Sequence, residues 1–150
     1  MRLWTQGKNW LQAIAWAGLI SLLSTDAFSS QHTSAYLIPL LHWLFPHAGA
    51  ETLDWMQLVI RKMAHLAEYF IFSLFLLHGL CGKDRGWQLR WAIWAVVIAA
   101  GYASLDEFPQ VFVPSRHASP WDALLDTTGA VVAQVVLWRW HLPKGNVTSD

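Results

Sequence analysis

The chain has 150 residues with no net charge when histidine is neutral; 55% of its residues are hydrophobic and 13% are charged, against roughly 25% charged in soluble domains. That balance excludes a charge-driven nucleic-acid binder, which would carry a basic stripe. The single cysteine, Cys81, excludes an internal disulfide framework and has no zinc-type partner spacing, so it reads as a small apolar filler.

Apolar stretches such as residues 9–25, 69–82, 91–105 and 127–138 carry no Lys, Arg, Asp or Glu. A bilayer core takes about 20 mostly apolar residues in helical form, with about 17 as the lower limit. Only the first stretch reaches that limit unaided, and the others must take in polar residues at their ends. The expected spans are therefore about 9–25, 61–80, 87–105 and 121–141. The sequence thus predicts an all-α fold, a polytopic membrane bundle of four transmembrane helices forming one domain over residues 1–150.

The first span follows Arg2 and Lys8 and competes with a cleaved signal peptide ending near Thr25-Asp26-Ala27. Trp10, Gln12 and Trp16 are poor constituents of a signal core, which favours a retained span. Between the first two spans, the apolar run 36–45 is too short to cross and is broken by Pro39. It is expected to lie in the interface or to re-enter it, as a packing loop or as a lid over an outward-facing site.

On the second span, Lys62, His65, Glu68 and Tyr69 recur at helical spacing and share one stripe. The third span ends in Asp106 and Glu107, with Gln110 beyond. The fourth is entered through Arg116, Ser119 and Pro120, with Asp122 and Asp126 one turn apart on one face. Ser119 and Pro120 read as N-cap and first helical position, and the helix dipole favours carboxylates in the first turns. Gly129 and Ala133 extend the face of Asp126 as a small-residue contact for a neighbouring helix.

Four spans with both termini together put Arg2, Lys8, Lys83, Arg85, Arg90, Arg139 and Lys144 on one side, and Arg61, Lys62 and Arg116 on the other. Cytoplasmic loops retain positive charge, so both termini, including a short tail over residues 142–150, are expected in the cytoplasm. Trp10, Trp87, Trp91, Trp138 and Trp140 would mark that interface, and Trp55 and Trp121 the other.

Charged groups at a bilayer centre cost about 2.5–3.5 kcal/mol each on insertion scales, so they turn inward and seek partners. Candidate acid, base or nucleophile residues are His65, Glu68, Asp106, Glu107 and Asp122. Candidate substrate contacts are Lys62, Tyr69, Gln110, Arg116 and Asp126. Lys62 and Arg116 could hold a phosphate, Arg116 by a bidentate fork. The same groups could instead only neutralise one another and fix helix register. No cofactor is expected; a divalent metal on His65 with Glu68, Asp106 or Glu107 is a secondary alternative, since the spacing matches no zinc motif.

The run Arg61-Lys62-Met63-Ala64-His65-Leu66-Ala67-Glu68-Tyr69-Phe70 resembles the Lys-x-x-His-x-x-x-Tyr-Phe segment of the VanZ-like family. The stretch from Asp106-Glu107-Phe108-Pro109-Gln110 to Arg116, followed by Asp122, Asp126 and Gly129, resembles that family's Asp-Glu-x-x-Gln-x-Phe-x-Pro-x-Arg pattern and its Asp-x-x-x-Asn-x-x-Gly sequel. The motif-bearing part covers about 61–134. Arg61 stands where the family often has an acid, and Asp126 where it has Asn. The resemblance implies a bacterial inner (cytoplasmic) membrane protein related to a member linked with glycopeptide resistance, and it supplies no reaction. A weaker echo joins Ser115, Arg116, Asp122 and Asp126 to the Ser-Arg-x5-His-x3-Asp motif of lipid-phosphate phosphatases, with Asp122 in place of the nucleophilic histidine.

The function expected is an outward-facing polar pocket that binds or processes a phosphate-bearing or glycosylated cell-envelope lipid or lipid-linked precursor. A structural or assembly subunit without chemistry is the alternative, and a proton- or ion-coupled carrier is weaker because no charged path reaches the cytoplasmic half.

Overall fold

The computed structural model describes residues 2–24, 30–82, 87–107 and 120–141, with side chains at 9–24, 33–82, 87–106 and 121–141. Among these the chain is all helical: α1 (Arg2–Leu23), α2 (Ser30–Leu44), α3 (Ala50–Cys81), α4 (Leu89–Glu107) and α5 (Pro120–His141). Two helices are long and apolar enough to cross a membrane, over Ala50–Cys81 and Leu89–Asp106, and Asn9–Leu23 is a shorter apolar helix.

α3 is the axis of the bundle and packs against every other helix. Its 32 residues make a rod about 48 Å long, against a hydrocarbon core of about 30 Å. Charge placement ends the apolar span near Arg61, but the backbone continues as helix to Ala50 because 50–60 contains no proline or glycine after its first turn. The Gly49 carbonyl accepts the first helical bond, from Leu53 N–H at 3.1 Å. At the other end Gly82, with φ of 59°, stops the helix in the left-handed region that residues with a Cβ disfavour.

Cross-helix contacts fix the directions. Lys62 meets Asp122, and Ser73 meets Ala130 and Gln134, so α3 and α5 run parallel. Asn9 donates to the Gly82 carbonyl at 3.4 Å while Trp16 Nε1 donates to the Glu68 carbonyl at 2.9 Å, so α1 runs against α3. Tyr102 donates to the Ala17 carbonyl at 2.8 Å, and Ser24 donates to Asp106, so α1 and α4 run parallel. The α3 level of Lys62 to Tyr69, the C-terminal ends of α1 and α4, and the N-terminal end of α5 therefore share one end of the bundle.

Small residues form the interior. Ala95, Ala99 and Ala103 of α4, at i, i+4 spacing, and Ala130 and Ala133 of α5, at i, i+3, are fully buried, small residues that let helix backbones approach closely. Tyr69, Phe72 and Leu76 of α3 and Ala13 and Ile20 of α1 complete this core. Large side chains point outward instead: Leu11, Ile14, Ile93, Trp94, Val97 and Val135 are all exposed. An exterior of this kind is what a hydrocarbon solvent permits and water does not.

The segment expected to be interfacial or re-entrant forms α2, and its helix continues through Pro39. The missing N–H at Pro39 costs one backbone bond, which this short, largely exposed helix tolerates. Gln57 of α3 donates to Ser34 of α2 and ties it to the α3 extension. Trp10, Trp87 and Trp91 are partly buried against the core, whereas Trp55, Trp121, Trp138 and Trp140 stay exposed.

Candidate functional site

Parallel packing of α3 and α5 brings their polar stripes together two residues at a time. Lys62 Nζ lies 2.7 Å from Asp122 Oδ1, with both side chains partly exposed at the end of the bundle. One turn deeper, His65 Nδ1 lies 3.5 Å from Asp126 Oδ1. Asp122 occupies the first turn of α5, opened by Pro120, where the unpaired amide donors and the dipole favour its charge.

Gly129 makes this approach possible. A Cβ there would stand 2.3 Å from the carbonyl oxygen of Leu66, so the two backbones are in contact just below the His65–Asp126 level. The site is a polar layer above a close helix crossing.

The cluster deepens in burial. Lys62 and Asp122 are near its mouth, the His65 side chain is 35% exposed, and Asp126 is 2% exposed. Tyr69, one turn below His65, is fully buried and packs edge-on to Phe72, whose ring in turn meets that of Tyr102 at a tilt. Three polar atoms of this set, His65 Nδ1, Tyr69 Oη and Asp126 Oδ1, have no hydrogen-bond partner among the described residues. An unpaired buried group costs about 1–3 kcal/mol; Tyr69 bears that cost, while His65 and Asp126 offset part of theirs by facing each other.

Glu68 and Asp106 lie within electrostatic reach of Tyr69 and of each other. Glu68 is electrostatically coupled to His65, Asp126 and Asp106, and Tyr69 to Asp126, Asp106, Tyr102 and Glu68. Asp106 accepts from Ser24 at the end of α1. Of the residues singled out in the sequence, Lys62, His65, Glu68, Tyr69, Asp106, Asp122 and Asp126 thus gather at one end of the bundle. The side chain of Glu107, and Gln110 and Arg116, lie outside the described residues. No group of three or more potential metal ligands occurs among the described residues.

Sequence reasoning missed Trp16, Ser24 and Tyr102, which join α1 to the cluster. Ser24 was detectable, because it closes the first apolar run at the level where Asp106 closes the third. Further along α3 and α5, Ser73 donates to the Ala130 carbonyl at 3.1 Å, and Gln134 Nε2 donates to Ser73 Oγ at 2.8 Å. Two polar residues inside otherwise apolar runs were its only signal. A groove of about 560 Å³ between α4 and α5, from Trp87 to Trp138, is lined almost wholly by apolar side chains and lies towards the opposite end. It is an apolar crevice away from the polar cluster.

The VanZ/LLP1 family model matches residues 9–141, nearly the whole chain. The chain belongs to this family. Family membership and the two apolar helices together mark a membrane protein. The match takes in α1 from Asn9 onward as well as the motif-bearing helices, so α1 is part of the VanZ/LLP1 unit. No curated protein and no solved structure matches the chain.

Proposed function

We propose that this VanZ/LLP1 protein spans the bacterial inner membrane several times, with both termini in the cytoplasm, and that its polar cluster binds or processes the headgroup of a phosphate-bearing or glycosylated cell-envelope lipid at the outer face. The observation that carries this is the meeting of His65, Tyr69 and Asp126 where α3 and α5 converge: the buried Tyr69 hydroxyl has no hydrogen-bond partner among the described residues, and His65 Nδ1 faces Asp126 Oδ1 at 3.5 Å without a close hydrogen bond. A purely structural layer would be expected to satisfy its own groups, because an incompletely paired network is worse than an apolar one. Alternating helix directions and the basic bias of the 83–90 loop support the orientation.

The test is to purify the chain with native lipid and compare wild type with His65→Ala and Asp126→Asn by mass spectrometry of bound lipid. Loss of one lipid class from well-folded variants supports the site. If Glu107→Gln keeps the lipid while a lipid modification stops, the protein is an enzyme. Unchanged lipid in all three variants rejects the site.

A structural or assembly role is favoured by two contacts, the Lys62–Asp122 ion pair and the Ser24–Asp106 bond, which staple helices to one another. It predicts that any polar substitution in the cluster unfolds the bundle, with no variant that is folded yet inactive.

A further inference from the structure

Charge decides what kind of headgroup this cluster can take. Around the described site stand four carboxylates, Glu68, Asp106, Asp122 and Asp126, against two fixed cations, Arg61 and Lys62, and the imidazole of His65, which faces Asp126 at 3.5 Å. Lys62 is already committed to Asp122 at 2.7 Å, so the inner part of the site has carboxylates in excess.

Hydrogen-bonding capacity points the same way. Asp126 is 2% exposed and directs Oδ1 to within 3.5 Å of His65 Nδ1, yet that oxygen accepts no hydrogen bond among the described residues. The hydroxyl of fully buried Tyr69 is likewise unpartnered. A phosphate brings only acceptors and negative charge, and it would meet Glu68 and Asp126 in a low-dielectric surrounding where like charges repel strongly. An ammonium group brings three donors and a positive charge, which matches two carboxylates and a phenol oxygen.

We infer that the inner pocket of this site recognises a primary amine on its lipid or sugar ligand, held by Asp126 and Glu68 with Tyr69 as a further hydrogen-bond partner, and that any phosphate stays at the mouth near Lys62. This rests on the headgroup-binding function proposed above and names the chemical class that the pocket selects. Asp126, standing where the family pattern has Asn, supplies the deepest of the negative charges.

The experiment uses the full chain in detergent and measures equilibrium binding of dioctanoyl phosphatidylethanolamine, its N-acetylated form, dioctanoyl phosphatidic acid, and glucosamine as a tail-free amine. The expected result is saturable binding of the free-amine lipid at least tenfold tighter than of the N-acetylated one. Asp126→Asn and Glu68→Gln, each first confirmed folded by thermal melting, should each weaken it by tenfold or more. Glucosamine binding as tightly as the aminolipid also supports amine recognition, and assigns the amine to a sugar. Equal or tighter binding of phosphatidic acid overturns the amine inference and leaves headgroup binding standing. Absence of saturable binding by all four probes overturns both. Should Asp126→Asn not fold, Glu68→Gln decides alone: undiminished aminolipid binding in that variant overturns the inference.

Discussion

Gly129 of α5 sits so close to Leu66 of α3 that an added Cβ would come within 2.3 Å of the Leu66 carbonyl oxygen and 3.2 Å of its Cα. Backbone meets backbone here, so no side chain can swing aside to make room. The depth and tilt of the polar layer above it follow from this contact.

Gly129→Ala should therefore destabilise the bundle although alanine is the better helix former. Propensity favours the change by about 1 kcal/mol, while forcing two packed helices apart costs about 1–3 kcal/mol or more, and the clash wins. Gly18 and Gly101, with nothing within 4 Å of their added Cβ, provide the contrast: Gly18→Ala and Gly101→Ala should leave stability unchanged or raise it by up to about 1 kcal/mol. Unfolding in mixed micelles, followed by circular dichroism, ranks the three. Equal behaviour of all three would show that α3 and α5 do not touch at Leu66.

The Ser73–Gln134 network makes a second prediction, on coupling. Ser73→Ala removes one of two acceptors of the buried Gln134 amide, which keeps the Ser73 carbonyl at 3.2 Å, and should cost about 0.5–1.5 kcal/mol. Replacing both residues, Ser73→Ala with Gln134→Leu, removes the donor and acceptor together and should cost less than the sum of the single changes. Additive losses in a double-mutant cycle would mean that the two side chains act independently.

Trp16 tests whether α1 supports the cluster. Trp16→Phe keeps an aromatic ring against Phe75, whose centroid lies 5.7 Å away, and deletes the bond to the Glu68 carbonyl. A neutral hydrogen bond contributes about 0.5–1.5 kcal/mol, so stability should fall by that order. Headgroup binding should weaken more than this loss of stability alone would explain, because the α3 turn carrying Glu68 loses its brace. A stability loss with unaltered binding would separate α1 from the site.

Much of this architecture was legible in the residues. Periodicity alone put Lys62, His65, Glu68 and Tyr69 on one stripe, and charge in the first turns of α5 put Asp122 and Asp126 opposite it. What was not legible has identifiable causes. The span estimate stopped near Arg61 because bilayer thickness sets apolar length, whereas the helix extends to Ala50 on hydrogen bonds indifferent to lipid. Pro39 read as a break, yet α2 carries on through it, since one lost bond does not end a helix whose other bonds persist. Trp16, Ser24 and Tyr102 escaped notice because their partners lie 52, 82 and 85 residues away in sequence, and only the relative directions of the helices bring them together.

The convergence of α3 and α5 polar side chains at one level is tested most directly by proximity chemistry in membranes. With Cys81→Ser as background, Lys62→Cys is combined with Asp122→Cys and treated with a short bismaleimide. The predicted result is efficient cross-linking within one chain, and none when Lys62→Cys is combined instead with Val135→Cys, thirteen residues further along α5. Equal products from both pairs, or a product only from the pair with Val135→Cys, would place Lys62 and Asp122 at different levels and contradict the site.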